Sequence, residues 1–339
     1  VKLYCENTKA TMVIFDNDLS PSQLRVLTEA LKVQVLDRCG LILDIFAQRA
    51  KTKEGRLQVE LAQLRYRLPR LMGMGTSLSR LGGGIGTRGP GEKKLEMDRR
   101  LIRDRIAQLN RELKDVKRHR EVTREQRSRN KVPVVAIVGY TNAGKSTLLN
   151  TLTGAGVLEE DKLFATLDPT TRNLKLPSKQ EVLMTDTVGF IRKLPHGLIE
   201  SFKSTLDEVR EADIWVHVVD ISHPQFEEQM EVVERTLHEI DSQDKPTIVV
   251  FNKIDAFTYQ PKDELDLTPD TPENISIEEL KQTWMSKLHD NCIFISAKEK
   301  INIEELKQLL YQRAKEIHTA RFPYNDFLYY QYDESGDLV

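Results

Sequence analysis

The sequence predicts an α/β protein. Its C-terminal half reads as a doubly wound, mostly parallel sheet, preceded by a small α/β domain and a long antiparallel helical hairpin. Three observations carry this. After Pro133, short apolar runs alternate with helical stretches, the texture of strands buried on both faces. Before Pro133, two stretches repeat apolar residues in steps of three and four, which marks a helical seam. The chain is also 339 residues long, too long for one ordinary domain of about 100–150 residues.

The first element is the β-rich run Thr11–Phe15. A helix opened by Ser20 as N-cap and Pro21 at its first position follows, and then the run Val33–Leu36, so a small α/β domain is expected over residues 1–50. The chain opens on Val1-Lys2-Leu3 with neither a methionine nor a targeting segment, and is expected to begin inside a longer protein. Leu57, Leu61, Leu64, Leu68 and Leu71, and then Ile102, Ile106, Leu109, Leu113 and Val116, predict two long helices over 51–131 packed along one seam. Between them, residues 72–91 are rich in glycine and close on Thr-Arg-Gly-Pro-Gly-Glu-Lys-Lys. This tip loop is expected to be non-helical and to reverse the chain.

Net charge is −2 overall, but the distribution is uneven. From Asp98 to Lys131 basic side chains outnumber acidic ones roughly two to one, and Arg80, Arg88, Lys93 and Lys94 add to them around the tip. A solvated helix bearing both signs is the plain reading; a basic projection that meets phosphate backbones, with glycines allowing close approach, fits the bias better.

The runs Val134–Val138, Ile214–Val219, Thr247–Phe251 and Cys292–Ile295 are the expected parallel strands of a domain over 132–318. An acidic, proline-bearing insertion followed by a helix is expected over 256–291, and an aromatic-rich segment closes the chain over 319–339, more readily as packing than as a partner site. Cys5, Cys39 and Cys292 are scattered without metal or disulfide spacing. No apolar run approaches the roughly 20 residues that span a bilayer. A cytoplasmic protein without a membrane anchor, monomeric when free, is expected.

Gly139-Tyr140-Thr141-Asn142-Ala143-Gly144-Lys145-Ser146 follows an apolar strand and precedes a helical run, the setting of a P-loop. Its backbone N–H groups and the helix N-terminus suit phosphates. Lys145 is placed to reach the β- and γ-phosphates, and the Ser146 hydroxyl to ligate Mg²⁺. Asp186-Thr187-Val188-Gly189 comes directly after the run Glu181–Thr185; there Asp186 would hold a Mg²⁺-bound water and the Gly189 amide would sense the γ-phosphate. Between these motifs, Phe164-Ala165-Thr166-Leu167-Asp168-Pro169-Thr170-Thr171 offers three threonines for a second Mg²⁺ hydroxyl. On these residues alone Thr166, Thr170 and Thr171 would all serve.

Asn252-Lys253-Ile254-Asp255 ends a buried run. A carboxylate at Asp255 can accept from both N1–H and the 2-amino group of guanine, which adenine cannot offer, so GTP and GDP are the expected nucleotides. Ser296-Ala297-Lys298 is placed to close the base pocket. His217 has no matching ligand set and reads as structural. Phe190 stands where a water-orienting glutamine is usual, so intrinsic GTP hydrolysis is expected to be slow.

Together these motifs resemble the HflX family of translation-factor-related GTPases. Outside the nucleotide motifs, the runs Arg38–Leu64 and Gly82–Arg100 look like that family's N-terminal signature. The resemblance implies an N-terminal α/β domain, a helical hairpin, a P-loop GTPase domain and often a small C-terminal domain. It also implies binding to the large ribosomal subunit and its RNA, with splitting or rescue of stalled ribosomes. Carried over, the nucleotide contacts fall on Gly139 to Ser146, Phe164 to Asp168, Asp186 to Gly189, Asn252 to Asp255 and Ser296 to Lys298. Mg²⁺ would sit on Ser146 and Thr166, and Lys145, Thr166 and Gly189 would carry catalysis. An RNA-binding or RNA-remodelling module regulated by nucleotide is the competing expectation.

Overall fold

The computed structural model describes residues 1–71, 90–129, 132–154, 164, 166–176, 181–192, 203–240, 245–261 and 274–321. Most of the expected glycine-rich tip, Ala165, residues 262–273 of the acidic insertion and the aromatic tail beyond Arg321 lie outside them. Two compact units are formed, one carried by the N-terminal residues as far as Thr123 and the other chiefly by those from Arg124 on.

In the first unit, helix α1 (Lys2–Thr8) leads into strand β1 (Met12–Phe15). Helix α2 (Pro21–Leu31) starts at a complete capping box: Ser20 accepts from the Gln23 amide while the Gln23 side chain accepts from the Ser20 amide. Strand β2 (Gln34–Asp37) then pairs in parallel with β1. Asp37 ends that strand and caps α3 (Arg38–Arg49) by accepting from the Gly40 amide at 2.8 Å. The same buried carboxylate accepts from the Tyr66 hydroxyl at 2.6 Å and from Arg70 at 2.9 Å, both on α4 (Lys53–Leu71). Burial pushes the Asp37 pKa up, but the hydrogen bonds from Tyr66, Gly40 and Leu19 outweigh it and hold it below the ordinary carboxylate value. The C-terminal end of α4 is thereby bound to the end of β2.

The predicted seam is present between α4 and α5 (Pro90–Arg129): Leu57, Leu61 and Leu109 are buried together, with Leu64, Ile106, Leu113 and Val116 packed around them. The helices run antiparallel. Arg67, Arg70 and Leu71 at the end of α4 line one groove with Asp98, Leu101 and Ile102 early in α5, whereas Glu60, further back in α4, grips Arg105, further along α5, with two bonds of 2.7 and 2.9 Å. One expectation is corrected. Pro90 and Gly91, expected in the non-helical tip, are the first residues of α5. Proline suits a first helical turn because its missing N–H has no intrahelical acceptor there.

The second unit is a six-stranded sheet in the order β4-β5-β3-β6-β7-β8, formed by Thr170–Lys175, Glu181–Asp186, Val134–Gly139, Ile214–Asp220, Thr247–Asn252 and Cys292–Phe294. Strand β4, which carries two of the candidate threonines, pairs antiparallel with β5; the other pairings are parallel. The inner strands read as continuous apolar runs because both faces are covered. Leu148 and Leu149 of helix α6 (Lys145–Thr153), Leu306 and Leu310 of α10 (Ile303–Arg321), and Val135, Ile137 and Val250 of the sheet share one core. Fully burying each such side chain contributes about 1.5–3 kcal/mol. Helices α7 (Lys203–Glu211), α8 (Phe226–Ile240) and α9 (Ile277–Leu288) complete the unit. Strand β3 is flanked by β5 on one side and β6 on the other, so the strand order reverses there, and such a reversal opens a crevice beyond the carboxyl ends of the strands. None of the helices among the described residues is long and apolar enough to cross a membrane.

Candidate nucleotide site

The crevice is a cavity of about 500 Å³ lined by residues of the P-loop, by Phe164 and Thr166, and by residues of the loops after β5, β7 and β8. Gly139 closes β3 with φ 153°, and a Cβ there would stand 2.3 Å from the Val218 carbonyl, so no side chain fits. Gly144, at φ 91°, precedes α6, and a Cβ there would meet Asn252 Nδ2 at 2.3 Å. Glycine at both points lets the loop lie tightly against β6 and β7. Asn142 adopts φ 64°, which turns the middle of the loop.

Lys145 is buried, and its Nζ donates to the carbonyls of Tyr140 at 2.8 Å and Gly139 at 3.3 Å. Burial lowers its pKa to about 8, with the Asp186 carboxylate acting in the opposite sense. Behind it in β6, His217 is also buried. Its pKa is pushed down to about 4 by burial and then by the Lys145 charge, which keeps the imidazole neutral, as a structural histidine should be.

Three oxygens converge at the mouth of α6. Ser146 Oγ lies 2.8 Å from Thr166 Oγ1 and donates to Asp186 Oδ2 at 2.6 Å, and Thr166 Oγ1 donates to the same oxygen at 3.0 Å. The other Asp186 oxygen, Oδ1, is buried without a partner. Burial raises the Asp186 pKa; Lys145, Ser146 and Thr166 oppose it. An all-oxygen set with an unsatisfied carboxylate oxygen fits a small hard cation such as Mg²⁺. Thr170 and Thr171 belong to β4, where Thr170 faces Asp186 in the ladder and Thr171 Oγ1 lies 3.0 Å from Thr185 Oγ1; neither lines the cavity.

On the far side, Asn252 is 2% exposed and joins two loops. Its Nδ2 donates to the Ala143 carbonyl at 2.9 Å, and its Oδ1 accepts from the Ala297 amide at 3.0 Å. Lys253 takes φ 67° and its Nζ pairs with Asp220 at 2.7 Å. Asp255 lies exposed at the cavity, beside Ala297 and Lys298. Phe190, 2% exposed, contributes backbone: it bridges to Tyr140, and its carbonyl accepts from the Thr141 amide at 2.8 Å.

Fourteen of the expected residues line the cavity: Thr141, Asn142, Gly144, Lys145, Ser146, Phe164, Thr166, Thr187, Gly189, Asn252, Lys253, Asp255, Ala297 and Lys298. Gly139, Tyr140, Ala143, Leu167, Asp168, Asp186, Val188, Ile254 and Ser296 do not, although Asp186 reaches it through Ser146 and Thr166. Thr147 and Ala256 line it unexpectedly. Asp220, which holds Lys253, also escaped the sequence reading; an acidic residue ending the apolar run Ile214–Val219 was its available signal.

Comparison with known proteins agrees with this architecture. The family description "GTP-binding GTPase N-terminal" matches residues 1–47, "GTP-binding GTPase Middle Region" residues 49–127, and "50S ribosome-binding GTPase" residues 134–253. GTPase HflX of Caldanaerobacter subterraneus subsp. tengcongensis is 50% identical over all of this chain and 74% of its own length. The chain belongs to the HflX family of GTPases. GTPase HflX of Escherichia coli is 47% identical over 93% of this chain and 71% of the relative. Against the HflX of Lacrimispora saccharolytica, 69% identical, the chain spans only 58% of the relative's length. The fold also matches a GTP-binding protein from Sulfolobus solfataricus in complex with GDP, with a TM-score of 0.50 and 26% identity over 93% of this chain and 85% of that one. The HflX relatives are named GTPases, and the family description that matches residues 134–253 is that of a GTPase.

Proposed function

We propose that this HflX-family chain hydrolyses GTP slowly on its own, and that docking on the large ribosomal subunit accelerates it in the course of splitting or rescuing stalled ribosomes in the cytoplasm. The observation that supports the nucleotide half is the meeting of Ser146, Thr166 and Asp186 oxygens beside a buried Lys145. The P-loop amides and Lys145 would hold the β- and γ-phosphates, and the Gly189 amide, on a residue packed against Thr141, would sense the γ-phosphate. Ser146 and Thr166 would ligate Mg²⁺, with Asp186 orienting its water; when bound, the ion neutralises charge that develops on the phosphates. Asp255 would accept from guanine, while Asn252 keeps the base loop and the P-loop in register. The Phe190 side chain is buried and has no polar atom to offer the attacking water, which is why slow intrinsic turnover is proposed.

The ribosomal half rests on the basic surplus along α5 and on the family's description as a ribosome-binding GTPase. The test is cosedimentation with purified ribosomal subunits in the GTP-analogue and GDP states, together with GTP turnover with and without ribosomes. Nucleotide-dependent pelleting with the large subunit and stimulated turnover are expected. Equal turnover under both conditions would favour an RNA-binding module whose affinity is regulated by nucleotide.

A further inference from the structure

Thr141 is a P-loop residue with an unusual position. It is 6% exposed, it lines the cavity, and its Oγ1 is buried with no hydrogen-bond partner. Its amide is already engaged, donating to the Phe190 carbonyl at 2.8 Å, so the hydroxyl is the donor that this residue has left for a ligand. It stands at the γ-phosphate end of the site: a Cβ on Gly189 would lie 2.8 Å from Thr141 Cα, 2.9 Å from Thr141 Cγ2 and 3.0 Å from Lys145 Nζ. A buried hydroxyl without a partner is unfavourable unless a ligand supplies one. Serine or threonine hydroxyls can also accept and donate at once.

We propose that the Thr141 hydroxyl is a catalytic group of the hydrolysis step, taking over part of the task that Phe190 cannot perform. It accepts from the attacking water and donates to an oxygen of the γ-phosphate, holding the water in line. The water oxygen bonds to the γ-phosphorus as the bond to the β–γ bridging oxygen breaks. One water proton passes to the γ-phosphoryl oxygens, and GDP and inorganic phosphate leave with Thr141 unchanged. The proposal rests on reading the cavity as the GTP site.

The test uses the full chain with Thr141→Val, which keeps the shape and removes the hydroxyl, and Thr141→Ser, which keeps the hydroxyl. Single-turnover GTP hydrolysis is measured beside affinities for GDP and a non-hydrolysable GTP analogue, with thermal unfolding as a check on folding. The valine variant is expected to hydrolyse about tenfold or more slowly while binding GDP within about twofold of the parent, and the serine variant to recover most of the rate. A valine variant as fast as the parent overturns the role of Thr141, as does a loss of GDP affinity that accounts for the whole effect. If the parent chain itself binds neither GDP nor the analogue, the reading of the cavity fails instead, and Thr141 with it.

Discussion

Asn252 and Ala143 are 109 residues apart in sequence, and the Asn252 side-chain amide donates to the Ala143 carbonyl at 2.9 Å inside the protein. With the second bond, from the Ala297 amide, one side chain fixes the distance between the P-loop and both base-side loops. Removing it in Asn252→Ala leaves two buried backbone groups without partners, at a cost of about 1–3 kcal/mol each. The variant is expected to unfold at lower denaturant and to bind GDP more weakly. Urea titration and GDP calorimetry on the same preparation check this; wild-type values in both would show that the loops hold their places independently.

The buried ammonium of Lys145 makes stability depend on pH. Its pKa in the folded protein is about 8, below the ordinary lysine value of 10.5, so the unfolded chain holds this proton more tightly. Below pH 8 the folded state bears the full unfavourable charge. Between about pH 8 and 10.5 it releases the proton first, and this residue's contribution to stability rises with pH. The nucleotide-free Lys145→Met variant is expected to lack that rise. Comparing urea midpoints of the two proteins at about pH 7.5 and about pH 9.5 tests it; parallel pH profiles would contradict the assigned burial.

Asp255→Asn is expected to move preference from GTP toward xanthosine triphosphate, because xanthine presents an acceptor where guanine carries its 2-amino donor. The exposed position of Asp255 on the cavity means that the substitution should leave folding unchanged. Competition of the two nucleotides against fluorescent GDP is the measurement; an unaltered order of preference would remove Asp255 from base recognition.

On α5 the arginines are not equivalent. Arg105 is held by Glu60 through two bonds, so it braces the hairpin, whereas Arg100, Arg103, Arg111 and Lys114 project from the same helix without such a brace being needed for the seam. Neutralising these four to Gln is expected to weaken subunit binding and to flatten its salt dependence, by up to about 0.7–0.9 in log–log slope for each phosphate that is no longer neutralised. GTP affinity should stay within about twofold, since no P-loop or base-loop residue is changed. Subunit binding across a salt series decides it, and an unchanged slope would leave α5 as a structural hairpin only.

Much of this protein is written in short contiguous stretches. The P-loop between Val138 and Thr147, the Asn252–Asp255 run, the Ser20–Gln23 capping box and the apolar repeat from Leu57 to Leu71 are each legible over a few residues, where spacing alone marks the element. The tertiary structure decided what depends on partners distant in sequence. Thr166, Thr170 and Thr171 are indistinguishable as a string; pairing of β4 with β5 turns Thr171 toward Thr185, and only Thr166 reaches Ser146 and Asp186. The pairing of Lys253 with Asp220, the Asn252 bridge and the Asp37–Tyr66–Arg70 cluster likewise join residues 29 to 109 apart. No local propensity specifies them, because a side chain's face in a strand follows from the register of the ladder, and a one-residue shift would turn each hydroxyl to the opposite side.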